Sequence, residues 1–232
     1  MLKKLIYVTL AHIILLTTAN VADAQSRLSN APPQSSTPPE VVVEASKIEL
    51  FKMIGLQRDR DVRNLIFRGT SPDLLDERGD HALFVAARDG WAEGVSLLLE
   101  LGAKPNLRNK WGDSALMVAA LNGHEAVVKT LRSKGAEINN AGWTALHYAA
   151  LGGHDNVVRY LLNQGANPVA QSPNGVTALM MAARENRTEA IKVLLEYGAD
   201  SAQKNQKGET ALDWAVREEH KAAVELLQRA KK

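Results

Sequence analysis

From Leu50 onward the apolar positions come in short runs with helical, not alternating, spacing: Leu83, Ala86 and Ala87, then Val95, Leu98 and Leu99, and the same rhythm on to Val224 and Leu227. Each run makes only two or three turns of helix, too short to hold together in water without a neighbour. Glycines punctuate the runs in two series. Gly79, Gly112, Gly142, Gly175 and Gly208 are separated by 33, 30, 33 and 33 residues, and Gly102, Gly135, Gly165 and Gly198, each followed by alanine, keep the same intervals. Two independent markers in step mean an internal repeat, and each unit reads as turn, helix, turn, helix.

The first helix of a unit carries Leu83, Leu116, Leu146, Leu179 or Leu212, and in four units a small pair: Ala86-Ala87, Ala119-Ala120, Ala149-Ala150 and Ala182-Ala183. The second carries Val95, Val128, Val158, Ile191 or Val224, followed by leucines on the same face. The glycines that close the second helices suit a left-handed cap, as do Gly90, Gly123 and Gly153 between the helices; Asn186 takes that place in the fifth unit. Counting back by 33 from Gly102, Val95 and Leu83 lands on Gly69, Val62 and Leu50. The stretch from about Ala45 to Glu77 is therefore a degenerate first unit, with Met53 and Ile54 replacing the alanine pair. Six units result, at roughly 45–77, 78–109, 110–139, 140–172, 173–205 and 206–232. The last has a second helix studded with Lys221, Glu225, Gln228 and Arg229, the polar outer face a stack needs to stop growing.

The run Gly142-Trp143-Thr144-Ala145-Leu146-His147-Tyr148-Ala149-Ala150, followed by Gly152-Gly153-His154 and Asp155 to Gln164, closely resembles the ankyrin repeat. The resemblance implies an all-α solenoid of about six helix-turn-helix units with short β-hairpin fingers. It departs from the family in three ways. Alanine stands where the family has proline at the start of the first helix (Ala82, Ala115, Ala145, Ala178, Ala211), so helix starts are expected to be less firmly fixed. The family's pairing of threonine with histidine survives only as Thr144 with His147. Three residues are missing between Gly135 and Gly142, leaving Asn139, Asn140 and Ala141 as a shortened finger and predicting a notch in the row of hairpins.

The start of the chain has another pattern. Lys3 and Lys4 precede an apolar stretch from Leu5 to Leu16, and Ala22-Asp23-Ala24 supplies the small residues of a cleavage site before Gln25: the three parts of a secretory signal peptide. The stretch is shorter than the ~20 apolar residues that span a bilayer. Residues 1–24 are thus expected to be a cleaved signal, and the mature chain periplasmic or secreted, without membrane insertion. Residues 25–44, with Pro32, Pro33, Pro38 and Pro39 among Ser, Gln and Thr, read as a disordered linker. Val41 to Val43 either add as an edge strand to a partner or lead into the first helix. Residues 45–232 form the repeat domain.

Composition narrows the chemistry. With no cysteine, disulfides and thiolate sites are excluded. Net charge is +2 with cations and anions interspersed, so nothing marks a nucleic-acid footprint. His124 and His154, with His220, recur at the inter-helix turn and read as structural. His81 stands where the family has threonine, and His147 has a capping role in the family, so neither makes a good general base. No metal or cofactor and no catalytic residue is expected, and an enzyme or metal protein is the least favoured reading.

In ankyrin solenoids partners usually bind the concave face made by finger tips and first-helix ends. Carried over by register, the resemblance assigns partner contact to Trp111, Asp113, Trp143 and Val176 on the fingers. On the helix ends it assigns Arg88, Asp89, Leu121, Leu151, Arg184 and Glu185. Two tryptophans and two leucines in the middle, flanked by charge, match an apolar hot spot with a polar rim. Trp111 and Trp143 equally suit packing between neighbouring hairpins, whereas Trp91 and Trp214 read as packing residues. The expected function is a non-catalytic protein-binding module, monomeric, with a partner of unspecified identity; the alternative is an envelope-tethered spacer.

Overall fold

The computed structural model describes residues 40–230. The expected signal peptide and the expected linker up to residue 39 lie outside the described residues. Among the described residues there are twelve α-helices and no sheet, and the helices follow one another in pairs. The pairs are α1 (Glu40–Gly55) with α2 (Asp59–Phe67), α3 (Ala82–Arg88) with α4 (Ala92–Glu100), α5 (Ala115–Leu121) with α6 (Glu125–Ser133), α7 (Ala145–Gly152) with α8 (Asp155–Asn163), α9 (Ala178–Arg184) with α10 (Thr188–Glu196), and α11 (Ala211–Arg217) with α12 (Lys221–Ala230). Helix α1 begins at Glu40, upstream of the expected linker boundary after residue 44. The described residues are helical from Glu40 on. Val41 to Val43 therefore lie in α1 and not in a strand.

The repeat works as a stack because first helices face first helices and second helices face second helices. The alanine pairs of α3, α5, α7 and α9 are all fully buried, since any larger side chain there would hold neighbouring helices apart. Val95, Leu98, Val128, Leu131, Val158, Leu161, Ile191 and Leu194 are equally inaccessible and form the continuous aliphatic seam on the second-helix side. Each such leucine withdrawn from water contributes roughly 1.5–3 kcal/mol. The degenerate first unit joins the same seam through Leu50, Ile54 and Val62.

Hydrogen bonds tie each unit to the one before it. From the third unit on, the residue preceding the second helix reaches back to the last carbonyls of the previous first helix: His124 Nε2 donates to Arg88 O (3.0 Å), His154 Nε2 to Leu121 O (2.9 Å), Arg187 Nε to Leu151 O (3.2 Å) and His220 Nε2 to Arg184 O (2.9 Å). This explains the inter-helix glycines twice over. Gly123 has φ 72, and a Cβ there would stand 2.4 Å from His154 Nδ1, so the bare face of the glycine is the seat of the next unit's ring. Asn186, at the same register, has φ 53.

The alanine that replaces proline at the start of the first helices is offset by side-chain caps. Ser114 Oγ accepts from Met117 N, Thr177 Oγ1 from Met180 N and Thr210 Oγ1 from Asp213 N. The weaker fixation expected from losing proline is therefore compensated in these helices, whereas His81 ahead of α3 makes no side-chain cap.

The fingers between units are hairpins closed by single antiparallel bridges, Leu75 with His81, Arg108 with Ser114 and Gln171 with Thr177. Four fingers share one closing bond at 2.9 Å: Asp76 N to Asp80 O, Asn109 N to Asp113 O, Ser172 N to Val176 O and Asn205 N to Glu209 O. A short polar side chain at the first of these positions folds the tip by accepting backbone protons, as Asn109 Oδ1 does from Trp111 N and Asp113 N. Among the described residues, the loop carrying Gly142 has neither the bridge nor the closing bond. The missing three residues thus remove the hairpin itself.

Candidate functional site

The face shared by the fingers and the first-helix ends can be built from the first helices outward. Toward the ends of the stack, each first helix finishes in a cation beside an anion, and the two bind each other: Arg88 Nε to Asp89 Oδ1 (2.9 Å), Arg184 Nε to Glu185 Oε1 (2.9 Å) and Arg217 Nε to Glu218 Oε1 (3.3 Å). Arg88 also lies 3.7 Å from the buried Asp80 carboxylate. Exposed pairs of this kind add little stability. What they do is neutralise and hold the rim. In the middle units the same positions are Leu121 and Leu151, both half-buried, with Leu151 packed on the core's edge, and neither is followed by an acid. The backbone carbonyls of Arg88, Leu121, Leu151 and Arg184 are all used in tying units together, so only their side chains face outward chemistry.

The finger residues divide. Trp111 is 61% exposed, with Lys110 Nζ 4.4 Å above its ring. Trp143 is half-buried against the core, edge-on to His147 at 5.4 Å and tilted against Tyr148 at 6.4 Å. Asp113 accepts the hydroxyl proton of Tyr148 from the next unit. Burial, and then the Asp113 carboxylate, push the Tyr148 hydroxyl far above its ordinary range, so it stays a donor. Val176 is only 7% exposed, against the expectation that its side chain meets a partner. Its amide accepts no such role either, because its N donates to Ser172 Oγ and its carbonyl accepts from His147 Nε2.

His147 is the capping residue the resemblance implied. Thr144 N donates to His147 Nδ1 at 3.2 Å, so Nδ1 is the acceptor, and Nε2 carries the proton given to Val176 O at 3.0 Å. The ring is neutral in that arrangement, and burial holds its pKa below the usual histidine range. At the other end of the face, Glu209 accepts from Asn205 Nδ2 (2.9 Å) and Trp214 Nε1 (2.8 Å) and pairs with Arg217 (2.9 Å). The bonds from Asn205 and Trp214, with the neighbouring cations, hold its carboxyl below the usual range. These residues line a shallow cleft of about 380 Å³ between the last two fingers.

Sequence reasoning missed Tyr148, whose signal is its register: it occupies the first-helix position held by Val85, Val118 and Met181, beside the one shortened loop. Among the described residues no three His, Asp or Glu side chains gather as a metal-binding group, and no helix is long and apolar enough to cross a membrane.

No curated protein matches the chain. The family model described as ankyrin repeats in three copies matches it in overlapping windows at residues 53–141, 95–172 and 164–232, from within α1 through the final unit. Ankyrin repeats generally mediate protein–protein interaction and are generally non-catalytic. With paired helices in register along the stack and a family match over most of its length, the chain belongs to the ankyrin-repeat family.

Proposed function

We propose that this chain is a non-catalytic binding module of an exported compartment, periplasmic or secreted, which takes a protein partner on its concave face. The observation that carries the reading is the change along that face: Trp111 exposed and leucines, Leu121 and Leu151, in place of the Arg–acid pairs in the middle, with self-neutralised Arg–acid pairs on either side. An apolar centre with a polar rim is how protein interfaces concentrate their energy. Trp111, Leu121 and Leu151 are the contact residues in this reading, with Arg88, Asp89, Arg184 and Glu185 as rim. Trp143 and Asp113 act from behind, supporting the surface through Tyr148 and His147.

Export rests on the pattern of residues 1–24. A soluble mature chain whose first residue is Gln25 is the expected product; a chain retaining its leader in a membrane fraction would overturn this part. For binding, a tagged protein is used to capture partners from an extract of that compartment, with Leu121→Glu, Leu151→Glu and Trp111→Ala compared with the wild type. Loss of capture by variants that remain folded at the assay temperature is the expected result. Capture unchanged in all three would retire the concave face as the site.

A further inference from the structure

The row of fingers is broken at one place, and the break sits beside the most exposed tryptophan. Elsewhere the glycine of a finger is covered by the finger that follows: a Cβ on Gly79 would stand 3.1 Å from Lys110, on Gly142 3.6 Å from Pro173 and on Gly175 3.0 Å from the Asn205 backbone. Gly112 has nothing within 4 Å. Hydrogen bonds tell the same story. Gln206 N donates to Asn174 O (3.1 Å) and Gln206 Nε2 to Pro173 O (2.7 Å), one finger feeding the carbonyls of its neighbour. By register, the carbonyls of Lys110 and Trp111 are the equivalents of those two, and the shortened loop offers no hairpin to feed them.

Charge is uneven at the same place. The arginines of the first-helix ends are held by neighbouring acids. On the finger that precedes the break, Arg108 and Lys110 are exposed and form no ion pair among the described residues, and its one carboxylate, Asp113, is engaged by the Tyr148 hydroxyl. Arg108 bonds Gly112 O, and the Lys110 stem lies over Gly79 while its ammonium faces the Trp111 ring.

We propose that the notch beside Gly112 receives an extended acidic segment of a partner protein, which takes the place of the missing hairpin. The segment lays backbone N–H groups against the Lys110 and Trp111 carbonyls, sets a proline or aliphatic side chain over Gly112 and the Trp111 ring, as Pro173 sits over Gly142, and places carboxylates near Arg108 and Lys110. This deepens the concave-face reading and rests on it, since it says what chemistry the partner presents and where.

The test uses two fluorescent peptides of one length, each with a central Pro-Leu pair, one flanked by Glu and Asp and the other by Lys in their place. Binding to the full chain is followed by anisotropy and by the emission of Trp111. The acidic peptide is expected to saturate the wild type, more weakly as salt rises, and the lysine twin is not. Replacing residues 140–141 with a copy of residues 170–174 restores the 33-residue spacing and fills the notch; this variant is expected to lose affinity by ~10-fold or more. Lys110→Glu, a surface change independent of whether the insertion folds, is expected to lose a similar amount. Equal binding of the twin, full affinity in either variant, or no saturation of the wild type by the acidic peptide overturns the proposal. Partner capture abolished by Leu121→Glu but untouched by filling the notch would sink this inference while leaving the binding module intact.

Discussion

The stack of helices and the row of fingers obey the same repeat but treat it differently. In the stack, equivalent positions are interchangeable: the four alanine pairs are all buried, and four successive turns send a histidine or arginine to the same carbonyl of the preceding helix. In the row, four loops close with the same bond and one does not. Because each unit touches only its neighbours, a solenoid must keep its stacking surface uniform or lose the whole array, whereas a loop at the edge can change without cost to the next. Variation has accordingly gathered on the fingers, and around the odd loop Trp143, Tyr148 and His147 form an aromatic group of their own.

The uniform part is the most sensitive to damage. Leu131→Ala removes a fully buried leucine from the middle of the seam and is expected to cost about 2–5 kcal/mol, read as a lower denaturation midpoint. Gly123→Ala is expected to cost roughly 1–3 kcal/mol, because alanine there needs a left-handed backbone and pushes the His154 ring off Leu121 O. If Gly112→Ala, a finger glycine with a similar φ but open surroundings, were equally costly, the contrast drawn between stack and row would fail.

Most of the stack was legible in the sequence. The spacing of Leu83, Ala86 and Ala87, and its recurrence, located the helices and their buried faces, since helical periodicity and steric closeness are properties of the residues themselves. The first unit was found by counting alone, through Leu50 and Val62. The site was legible only as a list of register positions. Register places Val176 at a finger tip, but the hairpin that turns its side chain inward is a tertiary feature. The bond from Tyr148 to Asp113 spans two units and exists because the intervening loop is short; nothing local to either residue announces it. The boundary before Ala45 errs for the opposite reason: prolines and valines there resemble linker and strand by composition, whereas the described helix already includes Glu40 to Glu44.

The odd loop should respond to pH. His147 in the folded chain holds its proton less well than in the unfolded chain, so protons favour unfolding. The stability that depends on neutral His147 is fully present above about pH 6.5 and is lost as pH falls below it. A His147→Gln variant, which can still donate to Val176 O, is expected to show a shallower fall in melting temperature on acidification than the wild type. Parallel curves would remove His147 as the cause. Tyr148→Phe comes next, with an expected loss of about 0.5–1.5 kcal/mol for one hydrogen bond. Asp113→Asn, which keeps an acceptor, should lose less than Tyr148→Phe; the reverse order would mean that the tyrosine's value lies in packing against Trp143.

The smallest effect on folding should come from the residue given the largest part in binding. Trp111 packs on no other unit, because the finger that would have covered it is missing, and its ring touches only its own neighbour Lys110. Trp111→Ala is therefore expected to shift stability by no more than ~0.5 kcal/mol, as exposed substitutions away from caps and buried bonds generally do. Trp143→Ala, half-buried against His147 and Tyr148, should cost visibly more in the same denaturation experiment. A large exposed indole is costly in solubility, and the proposed reading accounts for its place in the row by an occupant outside the chain. Should Trp111→Ala destabilise as much as Trp143→Ala, both rings would belong to the stack, and the row would lose its claim to be the part of the molecule that faces a partner.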